Sequence, residues 1–226
     1  MKKKLIYRNP LCKESDVKDF VLEGSANISF ERGRMRMTSV IDPKEGQRAN
    51  YVFWCPETFP ADIEISWNFY PLADTGLCMT FFAAAGIDGR DLFDEELLKR
   101  DGQYDCYYDG DINAFHASYY RRKAPSERAF RTCNLRKSKG FYLVSQGADP
   151  LPDIRDCSTP YRIKIVKYGP YVRFYINGLM LYEFQDDGQT YGSLLGGGKI
   201  GFRQMSPMEA EYSELRVYAL GENEEM

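Results

Sequence analysis

Apolar and polar residues alternate with period two through most of this chain of 226 residues. The clearest example is the row formed by Val172, Phe174 and Ile176, whose intervening residues are polar or tyrosine. The dipeptide Asn177-Gly178 follows, and it favours a tight hairpin because both of its residues accept positive φ angles. This pattern predicts short antiparallel strands joined by tight turns.

Segments of this kind recur along the chain, bounded by clusters of Gly, Pro and Asp. Hydrophobic residues make up 43% of the sequence and aromatic residues 15%, which is enough for a sizeable core. We predict an all-β fold, a two-sheet antiparallel jelly-roll sandwich, with residues 1–220 as a single domain and residues 221–226 as a disordered tail. The predicted strands are 26–30, 34–40, 50–55, 62–70, 76–85, 111–122, 128–136, 161–168, 171–176, 179–184, 198–205 and 209–219.

Two stretches interrupt the alternation. Residues 88–100 carry apolar side chains at helical spacing, with Asp94 placed to cap a helix, and they predict a short helix on the rim of the sandwich. Residues 140–159 contain Gly147-Ala-Asp-Pro-Leu-Pro152 and predict a long irregular loop. Long loops in compact domains often serve as lids or binding loops.

Charge and hydropathy exclude several functional classes. A formal net charge of -3 gives no overall attraction to nucleic acid or to an anionic membrane. No run of about 18 apolar residues occurs, so no transmembrane helix is predicted. The lysines at the N-terminus are followed by too few apolar residues for a secretory signal, which needs about 7 to 15 of them, so a cytosolic protein is expected.

Six cysteines are scattered along the chain without a CxxC pair or a neighbouring histidine. This spacing does not fit a zinc site, and free thiols are favoured over disulfides in a reducing cytosol. A nucleophilic pair of Cys133 with His116 stays open, although buried structural cysteine is commoner.

Two acidic clusters, Asp109-Gly-Asp111 and Asp186-Asp-Gly188, carry oxygen ligands of the kind that calcium uses. Short Asp-Gly clusters are more often plain turns. No cofactor and no metal site is therefore predicted, with calcium left open.

The only histidine of the chain, His116, lies in the predicted strand 111–122. A period-two reading places it on the same side as Ser118, Tyr120 and Arg122, which is how a sheet displays a binding or catalytic row. The alternative is an ordinary solvated sheet face that carries one incidental histidine.

Several longer motifs resemble a known family. The closing stretch YINGLMLYEF, GGGKIGFRQ and EYSELRVYAL resembles the C-terminal half of concanavalin A-like and laminin G-like jelly rolls. Together with YVFWCPETFP, GDINAFHASYYRRK and ERAFRTCNLRKSKGF, it gives the whole chain a resemblance to the bacterial YesU-type family. That resemblance implies a galectin-like or glucanase-like sandwich and a connection with carbohydrate utilisation, and it brings no defined activity with it.

Jelly-roll sandwiches bind sugars on the concave outer face of one sheet, where polar side chains meet hydroxyls and an aromatic ring stacks on the sugar. The candidate catalytic residues are His116 and Tyr120, because histidine and tyrosine can move protons. Trp54 is the candidate stacking ring. The other candidate binding residues are Asn113, Ser118, Arg122, Arg131, Asn134, Arg136 and Arg203.

The motifs of two relatives of this fold are incomplete here. Galectins use an H-x-N-x-R row, whereas this row reads H-x-S-x-Y-x-R, so galactoside specificity is not inferred. The segment Asp62-Ile-Glu-Ile-Ser66 lacks the third acid of the E-x-D-x-E pattern of retaining glucanases, which disfavours that hydrolase.

Three functions stay open at this point. The leading hypothesis is binding or processing of an oligosaccharide on the concave face, with uronic-acid-containing oligosaccharides among the candidates. The second is a polysaccharide lyase or another glycan-modifying enzyme that uses His116 or Tyr120. The third is a non-catalytic interaction module, favoured if residues 140–159 fill the concave face. An oligosaccharide is the expected partner under the first two, and the oligomeric state is left open.

Overall fold

The computed structural model describes residues 2–122 and 131–221. These residues form fifteen strands, one short helix and four 3-10 turns. The helix α1 is Asp105–Tyr108, and the 3-10 turns are Glu14–Asp16, Glu31–Gly33, Pro43–Ala49 and Ile154–Asp156. The strands are β1 (Lys2–Asn9), β2 (Val21–Gly24), β3 (Ala26–Ser29), β4 (Met35–Ser39), β5 (Tyr51–Trp54), β6 (Ile63–Pro71), β7 (Gly76–Gly86), β8 (Ile112–Arg122), β9 (Thr132–Ser138), β10 (Tyr142–Ala148), β11 (Tyr161–Tyr168), β12 (Tyr171–Ile176), β13 (Leu179–Gln185), β14 (Lys199–Met205) and β15 (Ala210–Gly221).

The strands build two antiparallel sheets. The back sheet has the order β13-β12-β11-β6-β15-β4-β3, and β1 pairs with residues 215–221 of β15. The front sheet has the order β10-β9-β8-β7-β14-β5-β2. The prediction of an all-β, two-sheet antiparallel sandwich is confirmed.

The inner rows of both sheets pack into one hydrophobic cluster. Phe115 of β8 and Phe202 of β14 point inward from the front sheet, and they meet Trp67 of β6 and Phe174 of β12 from the back sheet. Burying a side chain of this size contributes about 1.5–3 kcal/mol. Because successive side chains of a strand alternate in direction, these inner rows determine which side chains of the front sheet point outward.

The predicted strands all overlap strands of the structure. Residues 128–130 of the predicted strand 128–136 lie outside the described residues, as do residues 222–226 of the predicted tail. Gly221, placed in the tail by the prediction, belongs to β15. The strands β1, β2 and β10 have no counterpart in the prediction.

The prediction of an irregular loop over 140–159 is wrong, because residues 142–148 form β10 at the edge of the front sheet. Most side chains of this edge strand are exposed or half-buried, and Phe141, Tyr142 and Leu143 follow one another without alternation. A strand of that kind leaves no period-two pattern in the sequence.

The prediction of a rim helix over 88–100 is also wrong. The Asp91 carboxylate accepts a hydrogen bond from the Phe93 amide at 2.8 Å, and the Asp94 carboxylate accepts one from the Glu96 amide at 2.9 Å. Such local bonds compete with helical ones and favour turns. The rim helix of the structure is α1, and no helix within 2–122 and 131–221 is long and apolar enough to cross a membrane.

Candidate functional site

The front face is the side of the front sheet that points away from the back sheet. Strand pairing aligns its side chains in two rows. The first row consists of Trp54, Gly201, Phe81, His116 and Arg136, and the second of Val52, Arg203, Met79, Ser118, Asn134 and Gln146. Six of the side chains singled out in the sequence therefore share one face, and they are Trp54, His116, Ser118, Asn134, Arg136 and Arg203.

One end of the front face is closed by residues 92–107, which we call the cover. Its Tyr107 ring lies 5.0 Å from the Phe81 ring and 6.3 Å from the Trp54 ring. Trp54 is consequently fully buried. The expectation that Trp54 is an open stacking platform for a sugar is wrong in this structure, because the chain's own tyrosine occupies that position.

Glu23 of β2 fastens the cover to the front sheet. Its carboxylate accepts hydrogen bonds from the Trp54 Nε1 at 2.8 Å and from the Tyr107 hydroxyl at 2.7 Å. It also forms an ion pair with Arg100 of the cover at 2.8 Å, and both side chains of this pair are almost entirely buried. A buried pair of this kind resists separation, because removing either partner leaves an uncompensated charge.

Arg203 of β14 lies fully buried beneath Gln47 and the cover. Its Nη2 donates to the Gln47 Oε1 at 3.3 Å and to the Gly102 carbonyl oxygen at 3.2 Å. Its guanidinium carbon lies 4.8 Å from the centre of the Tyr104 ring. The Nε and Nη1 atoms have no hydrogen-bond acceptor, and none of the described carboxylates forms an ion pair with this residue. Arg203 is thus a buried cation with unused donors.

His116 is buried at the centre of the front face, and both of its ring nitrogens are engaged. Its Nδ1 lies 2.9 Å from the Tyr104 hydroxyl, and its Nε2 lies 3.0 Å from the Ser138 Oγ. The Ser138 hydroxyl donates to the Ala114 carbonyl oxygen, so its oxygen accepts from the histidine. This arrangement puts the proton on Nε2 and leaves Nδ1 to accept from Tyr104.

The surroundings of His116 do not suit a general base. Burial, together with the charges of Arg203 and Arg136, lowers the pKa of His116 to about 3. A group with so low a pKa is a weak base at neutral pH. The Cys133 thiol, raised as a partner, lies in the core cluster on the opposite side of the sheet, where burial raises its pKa. The pair of Cys133 with His116 is therefore not formed.

Tyr120 and Arg122 do not follow His116 onto the front face. Tyr120 has φ of 47°, and two residues of β8 here oppose one residue of β7, which is a β-bulge. The bulge turns Tyr120 into the core, where its ring lies 5.7 Å from that of Phe69 and its hydroxyl donates to Asp74 at 3.3 Å. The period-two reading is wrong for this end of the strand, and Tyr120 is not placed to serve as a catalytic group on the front face.

Arg122 and Arg131 hold residues 149–153 rather than facing the candidate site. The buried Arg122 forms ion pairs with Asp149 at 3.4 Å and with Asp153 at 3.6 Å. It also donates to the carbonyl oxygens of this segment. Arg131 pairs with Asp153 as well. Both arginines already have carboxylate partners, which makes them less available to an anionic ligand.

Asn113 points away from the front face, since it alternates with Ala114 along β8. Its Oδ1 accepts a hydrogen bond from the Lys139 amide at 2.8 Å. It lines a separate cavity at the end of the sandwich.

The end of the front face around Arg136 is more open. The Arg136 guanidinium lies 3.7 Å from the centre of the Phe141 ring and donates to the Phe141 carbonyl oxygen at 2.7 Å. The Gln146 amide donates to the Asn134 Oδ1 at 2.7 Å, and the Tyr104 ring lies 5.7 Å from that of Phe141. A guanidinium, two amides and aromatic rings are therefore assembled here, and such groups contact the hydroxyls and C–H faces of sugars.

Several residues of this site have no place in the sequence-based prediction, among them Gln47, Tyr104, Phe141 and Gln146. Tyr104 begins the aromatic cluster Tyr104-Asp-Cys-Tyr-Tyr108, which is the one signal that pointed to it. The other three lie in segments that carry no strand pattern of their own.

No group of three metal-ligating side chains occurs within residues 2–122 and 131–221. In the two acidic clusters considered for calcium, Asp186 accepts from Lys137 Nζ at 2.7 Å, and Asp111 accepts from the Leu98 amide at 2.7 Å. Their carboxylates thus stabilise loops. The six cysteines, all of them in the described part of the chain, are free thiols.

The two packed sheets and the polar, partly covered front face define a galectin-like sandwich protein. The chain belongs to the family described as "Domain of unknown function (DUF1961)", which matches residues 4–217. It is 56% identical to the protein YesU of Bacillus subtilis (strain 168) over 213 residues, which are 94% of each chain.

Two solved structures support the same fold. A Bacillus subtilis protein described as having unknown function and a galectin-like fold matches with a TM-score of 0.91 at 54% identity, covering 96% of this chain and 97% of that one. The carbohydrate recognition domain of Emp46p in its potassium-bound form matches with a TM-score of 0.62 at 11% identity, covering 94% of this chain and 96% of that one. At 11% identity this second likeness shows the fold alone.

Proposed function

We propose that this protein binds an anionic oligosaccharide, such as one that contains uronic acid, on the front face. The observation that carries the proposal is Arg136, a partly exposed guanidinium at the open end of this face that forms no ion pair with a described carboxylate. A ligand carboxylate can reach this guanidinium and form a charged hydrogen bond with it. Arg203 adds to the positive field as a fully buried guanidinium whose Nε and Nη1 lack acceptors, but it lies beneath the cover and does not contact the ligand.

The charges of Arg136 and Arg203 act on the same part of the face, because both contribute to the low pKa of His116. Two arginines that act on one histidine create a locally positive field in a protein whose net charge is -3. Such a field attracts and orients anions.

The open end of the front face also carries groups that can contact the uncharged parts of a sugar. The amides of Asn134 and Gln146 can bond hydroxyl groups, and the exposed Phe141 ring offers an apolar surface to sugar C–H groups. The Emp46p domain, which shares the fold, is described as a carbohydrate recognition domain, and this supports a carbohydrate as the ligand class.

Binding without elimination is the function that these contacts favour. A lyase needs a group that can take a proton from the sugar. The two residues considered for that role are poorly placed to take a proton from a sugar. Both ring nitrogens of His116 are engaged in hydrogen bonds, and Tyr120 lies in the core. Tyr104 has a hydroxyl near the face, but burial raises its pKa to about 12 and its hydroxyl is bonded to His116.

The interaction-module hypothesis expected residues 140–159 to fill the binding face, and the position of the cover is relevant to it. Residues 92–107 fill one end of the face, whereas residues 140–159, expected to do so under that hypothesis, contribute β10 instead. The end around Arg136 is left for a ligand, and the proposal places the oligosaccharide there.

The experiment is calorimetric titration of the protein with oligogalacturonates of two to six residues, with maltooligosaccharides of equal length as neutral ligands. We expect binding of the acidic series only, and Arg136→Gln should weaken it about tenfold or more, the loss expected for one charged hydrogen bond. Arg173→Gln is the matched control, because Arg173 is also a partly exposed strand arginine but belongs to the back sheet and pairs with Glu183.

Two results would contradict the proposal. One is the absence of heat with every acidic oligosaccharide tested, including sulfated ones. The other is equal weakening by Arg136→Gln and Arg173→Gln, which would show that the front face has no special part in binding.

A further inference from the structure

A second cavity lies at one end of the sandwich, on the other side of the front sheet from the front face. It encloses about 600 Å³ between the ends of β7, β8 and β9 and the loop that joins β13 to β14. The direction of the Lys137 side chain shows on which side of the sheet the cavity lies. Lys137 pairs with the core residue Phe115 across the strands, so both side chains point inward. Cavities of about 300–1,000 Å³ are typical of small-molecule sites.

The loop wall of this cavity is held in place by a buried ion pair. The Lys137 Nζ donates to the Asp186 carboxylate at 2.7 Å and to the carbonyl oxygens of Gly192 and Ser193 at 2.9 and 2.8 Å. All three ammonium hydrogens are used in this way. Because Lys137 and Asp186 are almost completely buried, the loop has a defined position before any ligand arrives.

The lining combines apolar and polar groups. Tyr191 and Leu195 contribute apolar surface, and Leu194 is half exposed. Asn113 lines the cavity with its Oδ1 bonded to the Lys139 amide, so its NH₂ group is left as a donor. This combination matches the alternating C–H faces and hydroxyls of a sugar ring.

The lining carries one charge that is not neutralised. Lys139 is exposed, and among the described residues no carboxylate side chain lines the cavity, since Asp186, the partner of Lys137, lies behind its wall. Lys137 and Asp186 cancel each other. The cavity therefore presents a net positive charge of one ammonium group to whatever enters it.

We propose that this cavity is a second binding site, which takes a sugar acid of one or two residues through its carboxylate and hydroxyls. The proposal is independent of ligand binding at the front face, because the two sites lie on opposite sides of the front sheet and share no arginine. The carboxylate meets the Lys139 ammonium, and the sugar ring lies against Tyr191 and Leu195.

The test is a titration of the protein with galacturonate, followed by amide chemical shifts in NMR spectra, with galactose as the neutral probe. We expect galacturonate to shift the amides of residues 138–139 and 192–197, and galactose to bind at least tenfold more weakly, as expected when a charged hydrogen bond is lost. Lys139→Gln should weaken galacturonate binding to the same degree. Arg136→Gln should leave the galacturonate-induced shifts of residues 192–197 unchanged, which separates this site from the front face.

A second variant blocks the cavity directly. A Cβ atom at Gly196 meets no heavy atom within 4 Å, so Gly196→Leu can fill the cavity without a clash in the wall. Gly221→Leu is the control, because Gly221 has equal open space at the end of β15. We expect the first variant to abolish the shifts and the second to preserve them. Shifts that survive both Gly196→Leu and Lys139→Gln, or a galacturonate titration that leaves residues 192–197 unchanged, would overturn the proposal.

Discussion

His116 shows at the residue scale how far a pattern in the sequence can predict a role. The alternation of β8 correctly places it beside Ser118 on the outer side of the sheet. Its burial depends on Tyr104, which lies elsewhere in the sequence, so no local pattern could predict it. The inward direction of the Tyr120 side chain could not be predicted from the sequence either, because a positive φ at a tyrosine is rare and has no sequence signal.

The neutral state of His116 makes folding stability depend on pH. The pKa of an unfolded histidine is about 6.5, and that of His116 in the folded protein is about 3. Between these values the unfolded state binds more protons, so the free energy of unfolding falls as the pH falls. From pH 6.5 to pH 5.0 the loss should be about 1.5 kcal/mol.

Urea denaturation at the two pH values tests this dependence. Since His116 is the only histidine of the chain, His116→Gln should remove most of the loss in that interval. An equal loss in the wild type and in His116→Gln would mean that other groups cause the pH dependence.

At the scale of elements, the cover is the feature that decides the shape of the site. Its apolar residues suggest a helix, but aspartate side chains bond the backbone and favour turns over residues 91–96. The strands of the front sheet can be predicted from the alternation of apolar and polar residues. The position of the cover depends instead on contacts with Glu23, such as its hydrogen bond with Tyr107, which lies about eighty residues away in the sequence. For that reason the sequence predicts the strands of the front sheet but not the cover that closes one end of its outer face.

Glu23→Gln should loosen the cover. The substitution leaves Arg100 nearly buried without its carboxylate, and loss of one partner of a buried pair costs about 3–5 kcal/mol. We expect a loss of this size in urea unfolding and faster hydrogen exchange at the amides of residues 92–107. Glu183→Gln, which breaks the exposed pair with Arg173, should cost less than about 1 kcal/mol. Similar small losses in both variants would argue that Glu23 does not fasten the cover.

At the scale of the whole molecule, charge separates the front face from the rest. The chain has a net charge of -3, yet Arg203 and Arg136 share a face and neither forms an ion pair with a described carboxylate, while the buried Glu23 is paired with Arg100. Composition predicts an acidic protein and gives no hint of where its arginines without ion-pair partners lie. The two-sheet fold, in contrast, follows from alternation and turn residues spread over the entire chain.

The local positive charge implies that ligand binding depends on salt. Screening shortens the range of electrostatic attraction from about 10 Å at 0.1 M salt to about 3 Å at 1 M. The affinity for an oligogalacturonate, measured by calorimetry, should fall severalfold between these salt concentrations. An affinity that does not change with salt would point to recognition of the sugar ring alone.

Chemical-shift mapping with an oligogalacturonate tests most directly whether the front face is the binding site. We expect the largest shifts of backbone amides in β8, β9 and β10, near His116, Asn134, Arg136 and Gln146, and we expect Arg136→Gln to reduce them strongly. Shifts confined to strands of the back sheet, or no shift at millimolar concentrations of every anionic oligosaccharide, would contradict it.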